Sequence, residues 1–359
     1  MVEIAKALAI DARILVMDEP TAALDDANAR RLLDLVRRLR AEGVAIVYVS
    51  HRMPEIAAIA DRVTVMKDGR KVETAPVAEM PTDRIVRLMV GRELSDFYPP
   101  RPTEAPGPVL LEVRGGGNDA LADIDLTLRA GEIVGIAGLE GSGKSALARA
   151  IFGDAPFTRG TVSLEGRTID LRRPRAGIEA GIGYLSDDRK REGCILQQSL
   201  RDNTLLVRRA FAAPLGGARA GALSDAEADA MMRRLDVRAA RFSQEIRELS
   251  GGNQQKVILG RWLARDPRII VFCEPTRGID VAAKAAIYQL MRDLAARDRG
   301  VLMVSSDLPE VIGLSDRIIV MHQGRIAGEC GPDAGEAGVM ALAVGHHAAT
   351  PGPARGAAA

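Results

Sequence analysis

Gly138-x4-Gly143-Lys144-Ser145 stands between an apolar run, Ile133–Ala137, and a helical pattern, Ser145–Phe152. A glycine-rich turn in that context lets successive backbone N–H groups face inward onto phosphate oxygens, and the helix start adds partial positive charge. Lys144 supplies a point charge for the outer phosphates and Ser145 a hydroxyl for Mg2+. Gly138, Gly141, Ser142, Gly143 and Ala146 complete the cradle. The spacing of Gly138, Gly141 and Gly143 does not suit a dinucleotide fold. Farther along, Ser250, Gly251, Gly252, Asn253 and Gln254 precede another apolar helix. A serine and a glycine pair at a helix start again leave N–H groups open to an anion.

The elements that must position these groups come from an internal repeat. ILVMDEPTAALD ends at Asp25, and IIVFCEPTRGID ends at Asp280, 255 residues further on. At the same offset, His51, Asp61 and Gly69 align with Ser306, Asp316 and Gly324, and Met1 aligns with Lys256. Residues 109 to 255 have no earlier counterpart. The expected organisation is the C-terminal part of one domain over residues 1–75, a linker over 76–108, a complete copy over 109–345, and a disordered tail over 346–359. A downstream start or a gene fragment would explain the half copy. Pro99–Pro108 excludes helix and inner strand. In the complete copy, Ile133–Ala137, Ile269–Cys273 and Val301–Ser305 read as buried strands. Ser145–Phe152, Ala228–Leu235, Gln254–Ala264 and Ala282–Ala296 read as helices. This alternation predicts an α/β fold with a largely parallel sheet.

Lys and Arg number 49 against 48 Asp and Glu, a net charge of +1, which argues against nucleic acid as the main partner. Aromatic residues are 3%, so the core must be aliphatic. Three scattered cysteines, Cys194, Cys273 and Cys330, fit neither a disulfide framework nor a zinc site and suit a reducing compartment. No apolar run approaches the ~20 residues that span a bilayer.

The P-loop, Glu248–Gln255 and IIVFCEPT together resemble the ATP-binding-cassette (ABC) ATPases, in which the signature of one cassette closes on the P-loop of another. GLEGSGKS, YLSDDRKREG, ELSGGNQQK, EPTRGIDVAAK and VSSDLPEV are similar to the second cassette of bacterial monosaccharide importer ATPases of the ribose, xylose, galactose and autoinducer-2 type. MVEIAKAL and MDEPTAALD resemble the end of the first cassette. The resemblance implies a P-loop NTPase fold, ATP and Mg2+ as cofactors, and permease subunits and a sugar-binding protein as partners. It also implies a peripheral place on the cytoplasmic face of the membrane and a possible homodimer.

By the same resemblance, Asp18 orders Mg2+, Glu19 polarises the attacking water, Asp25 and Asp280 are D-loop residues, and His51 contacts the outer phosphate. In the second copy Cys273 replaces the Asp18 type, Glu274 keeps the catalytic position and Ser306 replaces the histidine. Asp187 stands at a position that commonly carries glutamine near the metal. The segment Asp188–Ser199 is implied to face the permease; by itself, DRKRE reads as a solvated charged loop. No ring is available for adenine in 109–137, where Arg114 is the alternative. A neutral thiol is a poor partner for hydrated Mg2+, and a serine presents no cation to the phosphate, so hydrolysis by this chain is expected to be weak. The competing readings are a non-hydrolysing nucleotide-binding remnant and a soluble, non-transport ABC ATPase.

Overall fold

The computed structural model describes residues 6, 12–21, 24, 26–50, 52–67, 69–90, 97–211, 224–279 and 281–345. They fall into two compact units, residues 1–97 with 278–285, and residues 98–277 with 286–359. Among the described residues, no helix is long and apolar enough to cross a membrane.

The first unit contains β1 (Ile14–Asp18), α1 (Asp26–Ala41), β2 (Ala45–Val49), α2 (Met53–Ile59), β3 (Arg62–Lys67), β4 (Arg70–Pro76) and α3 (Thr82–Val90). β1 and β2 pair in parallel, and β3 and β4 form an antiparallel hairpin. Alternation along β1 sends Leu15 and Met17 inward against Val36, Leu39 and Ile59. α3 lies within the stretch expected as a linker. Ile85, Leu88 and Met89 recur at helical spacing and pack on Val63 and Val65 of the hairpin. The prolines of Pro99–Pro108, where neither helix nor strand forms, therefore say nothing about the residues before them.

The second unit opens with β5 (Val109–Gly117), β6 (Ile124–Arg129), β7 (Ile133–Ala137), α4 (Lys144–Phe152), β8 (Arg159–Leu164), β9 (Arg167–Ile169), α5 (Pro174–Glu179) and β10 (Ile182–Leu185). It continues with α6 (Leu200–Ala210), α7 (Asp225–Arg234), α8 (Gly251–Leu263) and β11 (Ile269–Cys273). After α9 (Val281–Ala295), which belongs to this unit from residue 286 on, come β12 (Gly300–Val304), α10 (Leu308–Leu314), β13 (Arg317–His322), β14 (Arg325–Cys330) and α11 (Gly335–Ala343). One sheet has the order β10-β11-β12-β7-β13-β14, parallel except for β14; the other, β6-β5-β8-β9, is antiparallel. β7, β11 and β12 are buried at every residue, as expected of parallel strands covered on both faces. Phe152 stacks on Tyr184 at 4.8 Å and meets Trp262 edge-on at 5.7 Å, joining α4, β10 and α8.

The repeat persists in the backbone. β1 pairs with β2 in the register Ile14↔Ala45, and β11 pairs with β12 in the matching register Ile269↔Gly300. Glu19 N donates to Val49 O at 2.9 Å, and Glu274 N donates to Val304 O at 2.8 Å. The sheet faces differ. Ile14, Val16, Val47 and Val49 are 68%, 65%, 53% and 47% exposed, whereas their counterparts Ile269, Val271, Leu302 and Val304 are 0% exposed. In the second unit α4 packs against β11 and β12.

Candidate functional site

The phosphate cradle forms where β7 gives way to α4. Gly138 and Gly143 adopt φ of 150° and 99°, which side-chain-bearing residues rarely reach. A Cβ on Gly138 would lie 2.5 Å from Ser142 Oγ and 2.6 Å from Met321 O. Ser142 Oγ is buried with no hydrogen-bond partner, so an incoming oxygen would satisfy it. Lys144 opens α4 and is itself buried. Its ammonium donates to Gly138 O at 3.1 Å and to Ser306 Oγ at 2.8 Å. Burial pulls the Lys144 amine below its usual range, while Glu274 and Glu140 oppose that shift. A phosphate fits this donor set: an orphaned hydroxyl, a desolvated ammonium and a turn that excludes Cβ atoms. Ser145 and Ala146 continue the first turn of α4.

Ser306 also donates to Glu274 Oε1 at 2.6 Å. The hydroxyl thus joins the P-loop cation to the carboxylate at the end of β11. Glu274 and Glu19 hold φ of 47° and 46°, a sparsely populated region for a non-glycine residue and one often kept at working sites. Cys273 is 1% exposed and hydrogen-bonded to Tyr184; burial pushes its thiol up to about 12. It is therefore neutral near pH 7, as the residue type led one to expect.

Asp187 lies 3.7 Å from Arg149 on α4. Arg149 also pairs with Asp154 at 2.6 Å and Glu192 at 2.9 Å. The Ser186 hydroxyl, helped by Arg149 and opposed by partial burial, holds the Glu192 carboxyl below its usual range. DRKRE is consequently not a simple solvated loop: Arg189 Nη1 donates to Gly251 O at 3.2 Å. Sequence reasoning missed this cluster because its members lie tens of residues apart; the surplus of charges in the loop was the only signal.

At the signature, Ser250 is the N-cap residue of α8, but its side chain does not make the capping bond. Asn253 donates to Ser250 Oγ at 3.0 Å and accepts from Arg238 N at 2.8 Å. Gln254 is buried and donates to Ile246 O at 3.1 Å and Leu249 O at 3.2 Å. Its amide supports the turn, at which Ser250 is exposed, Gly251 half-buried and Gly252 buried. Asp18 ends β1 with an exposed side chain. Arg114, the alternative for adenine, is exposed and pairs with Glu112 at 2.8 Å. Asp25, His51 and Asp280 lie outside the described residues.

A P-loop between strand and helix, a carboxylate just past β11, two strands away in the same sheet, and a glycine-rich helix start define an ATP-binding cassette. The ABC transporter family profile matches residues 121–277. Solved cassettes agree at the level of fold. One is a crystal structure of the ADP conformation of an ABC-transporter cassette, with TM-score 0.53 and 21% identity, covering 66% of this chain and 95% of that one. Another is cbiO1 of Clostridium perfringens, part of the ABC transporter complex cbiONQ, with TM-score 0.53 and 20% identity, covering 65% and 93%.

Among curated proteins, the chain is 48% identical to the ribose import ATP-binding protein RbsA 2 of Streptomyces coelicolor over 97% of its own length and 67% of that protein's. It is 43% identical to RbsA of Bacillus licheniformis, over 96% and 70%. The chain spans about two thirds of the length of these relatives. It belongs to the family of sugar-import ATP-binding proteins of ABC transporters.

Proposed function

We propose that the chain binds Mg-ATP at Gly138–Ser145 and uses its hydrolysis to drive a membrane permease supplied with sugar by a binding protein. The observation that carries this reading is the Lys144–Ser306–Glu274 linkage, which ties the phosphate cradle to a carboxylate. ATP supplies the energy-rich phosphoanhydride, and Mg2+ supplies charge neutralisation at its outer oxygens. Lys144, Ser142 and the loop N–H groups bind phosphate. Ser145 offers a metal ligand, and Asp187 is the carboxylate assigned to metal ordering here; Asp18 has that assignment in the first cassette, where Cys273 stands at the equivalent place in this one. Glu274 accepts the proton of the attacking water, and Ser306 orients that carboxylate. Ser250, Gly251 and Gly252 would meet the nucleotide of an opposing cassette. The relatives' names say ribose, and a monosaccharide is accordingly the proposed cargo.

Residues 1–75 are proposed to be the C-terminal part of a first cassette, with Glu19 and His51 in its hydrolytic site. The support is the exposed face of β1 and β2. In the second unit the same positions are buried in strands against which the P-loop helix packs, so an equivalent cover is proposed for the first unit's face. The second site, with neutral Cys273 and Ser306, is proposed to be the slower one.

The test is steady-state phosphate release. Slow turnover is expected, falling by about a hundredfold or more in Glu274→Gln, the low end for losing a general base. Robust turnover that ignores Glu274→Gln would overturn the assignment.

A further inference from the structure

Tyr98 and Arg101 precede β5 and lie against the helix that follows Ser306. Tyr98 stacks on Tyr288 with ring centroids 5.2 Å apart and planes 24° apart. It also lies against Gly313, where an added Cβ would be 2.6 Å from the ring carbons Cδ2, Cε2 and Cζ. Arg101 Nε donates to Ser315 O at 3.0 Å, and Nη2 donates to Ile312 O at 2.5 Å. A guanidinium there satisfies carbonyls at the end of α10 and complements the helix dipole.

The repeat shows that this arrangement is particular to the second copy. At the 255-residue offset, Tyr288, Gly313 and Ser315 correspond to Leu33, Ala58 and Ala60. The first copy thus has neither the ring to stack on nor the gap at glycine that admits Tyr98.

Both loops that carry the catalytic pair meet this contact. Tyr288 is hydrogen-bonded to the side chain of Thr276, two residues past Glu274. α10 begins directly after Ser306, and its N-cap Asp307 accepts from Glu310 N. The Ser305 hydroxyl bonds Glu310 and accepts from Asp307 N at 3.0 Å. Ser306 is consequently fixed to a short helix whose far end is held by Arg101 and Tyr98.

We propose that Tyr98 and Arg101 form a strap that positions the Glu274–Ser306 pair and so governs how strongly the P-loop site prefers ATP to ADP. The proposal rests on the reading of this site as an ATP site. Ser306 and Glu274 sit beside Lys144, at the end of the cradle where only ATP presents a further phosphate. Loosening α10 should therefore weaken ATP while sparing ADP. Tyr98 and Arg101 are positioning residues.

The experiment is equilibrium titration of the full chain with Mg-ATP and with Mg-ADP. Tyr98→Ala should reduce the ATP-over-ADP preference by about three- to tenfold, up to the loss of one hydrogen bond to a charged group. Gly313→Ala should do the same, because its Cβ displaces the ring while alanine favours the helix. Tyr98→Phe keeps the stacking and should retain more of the preference than Tyr98→Ala does. An unchanged preference in both Tyr98→Ala and Gly313→Ala overturns the strap. If Tyr98→Ala does not fold, Gly313→Ala and Arg101→Gln decide by the same ratio. Lys144→Ala separates the two readings: if it leaves wild-type binding intact, the ATP site is misassigned, whatever the strap does.

Discussion

Ser306 has a cation at 2.8 Å on one side and a carboxylate at 2.6 Å on the other. A hydroxyl can accept from Lys144 and donate to Glu274 at once, so it orients both without adding charge. Cys273 beside it is buried and neutral. Alkylation of the folded chain at mildly alkaline pH should therefore label the partly exposed Cys330 before Cys273, as mass spectrometry of the peptides would show. Cys273→Asp should lower the Mg2+ concentration needed for ATP binding, measured by titrating the metal at fixed nucleotide. Burial of that carboxylate should also lower the melting temperature. At Glu192 the sign of the pH effect is set by its depressed pKa. Stabilisation by its bonds to Ser186 and Arg149 is present above the unfolded-state value and is lost as pH falls through the folded-state value. Glu192→Gln should thus be less stable than wild type at neutral pH, by less than about 1 kcal/mol for a half-exposed pair. The difference should vanish in acid below the usual carboxylate range, as denaturant curves at a series of pH values would reveal.

At the scale of elements, identical positions of the repeat carry opposite burdens. Val16 is 65% exposed, and its counterpart Val271 is fully buried. Val16→Lys should cost under about 1 kcal/mol, the ordinary range for surface substitutions. Val271→Lys should prevent folding, because an unpaired buried charge costs several kcal/mol. Thermal melts of the two variants test the contrast. Phe152→Ala should cost about 3–5 kcal/mol by opening a cavity among α4, β10 and α8. The strands and the P-loop helix were legible in the sequence because their signals are local: continuous apolar runs, a glycine turn and helical spacing. The repeat was legible in its gapless offset, whereas the shared pairing register is visible only in the backbone. α3 was obscured by neighbouring prolines. The Arg149–Glu192 pair and the Tyr98–Gly313 contact could not be read, since each joins residues far apart in sequence by packing that no short window contains. Gln254 was recognised by motif, but only the structure shows its amide turned toward Ile246 O and Leu249 O.

For the whole molecule, the net charge is +1, and among the described residues no helix is long and apolar enough to cross a membrane. The central claim is that this chain holds nucleotide through the cradle at Lys144. An equilibrium titration of the 359-residue chain with Mg-ATP, wild type beside Lys144→Ala, tests it most directly. Removing the desolvated ammonium should weaken binding at least about tenfold, or roughly 1.4 kcal/mol. Equal affinity in the two proteins would contradict the account.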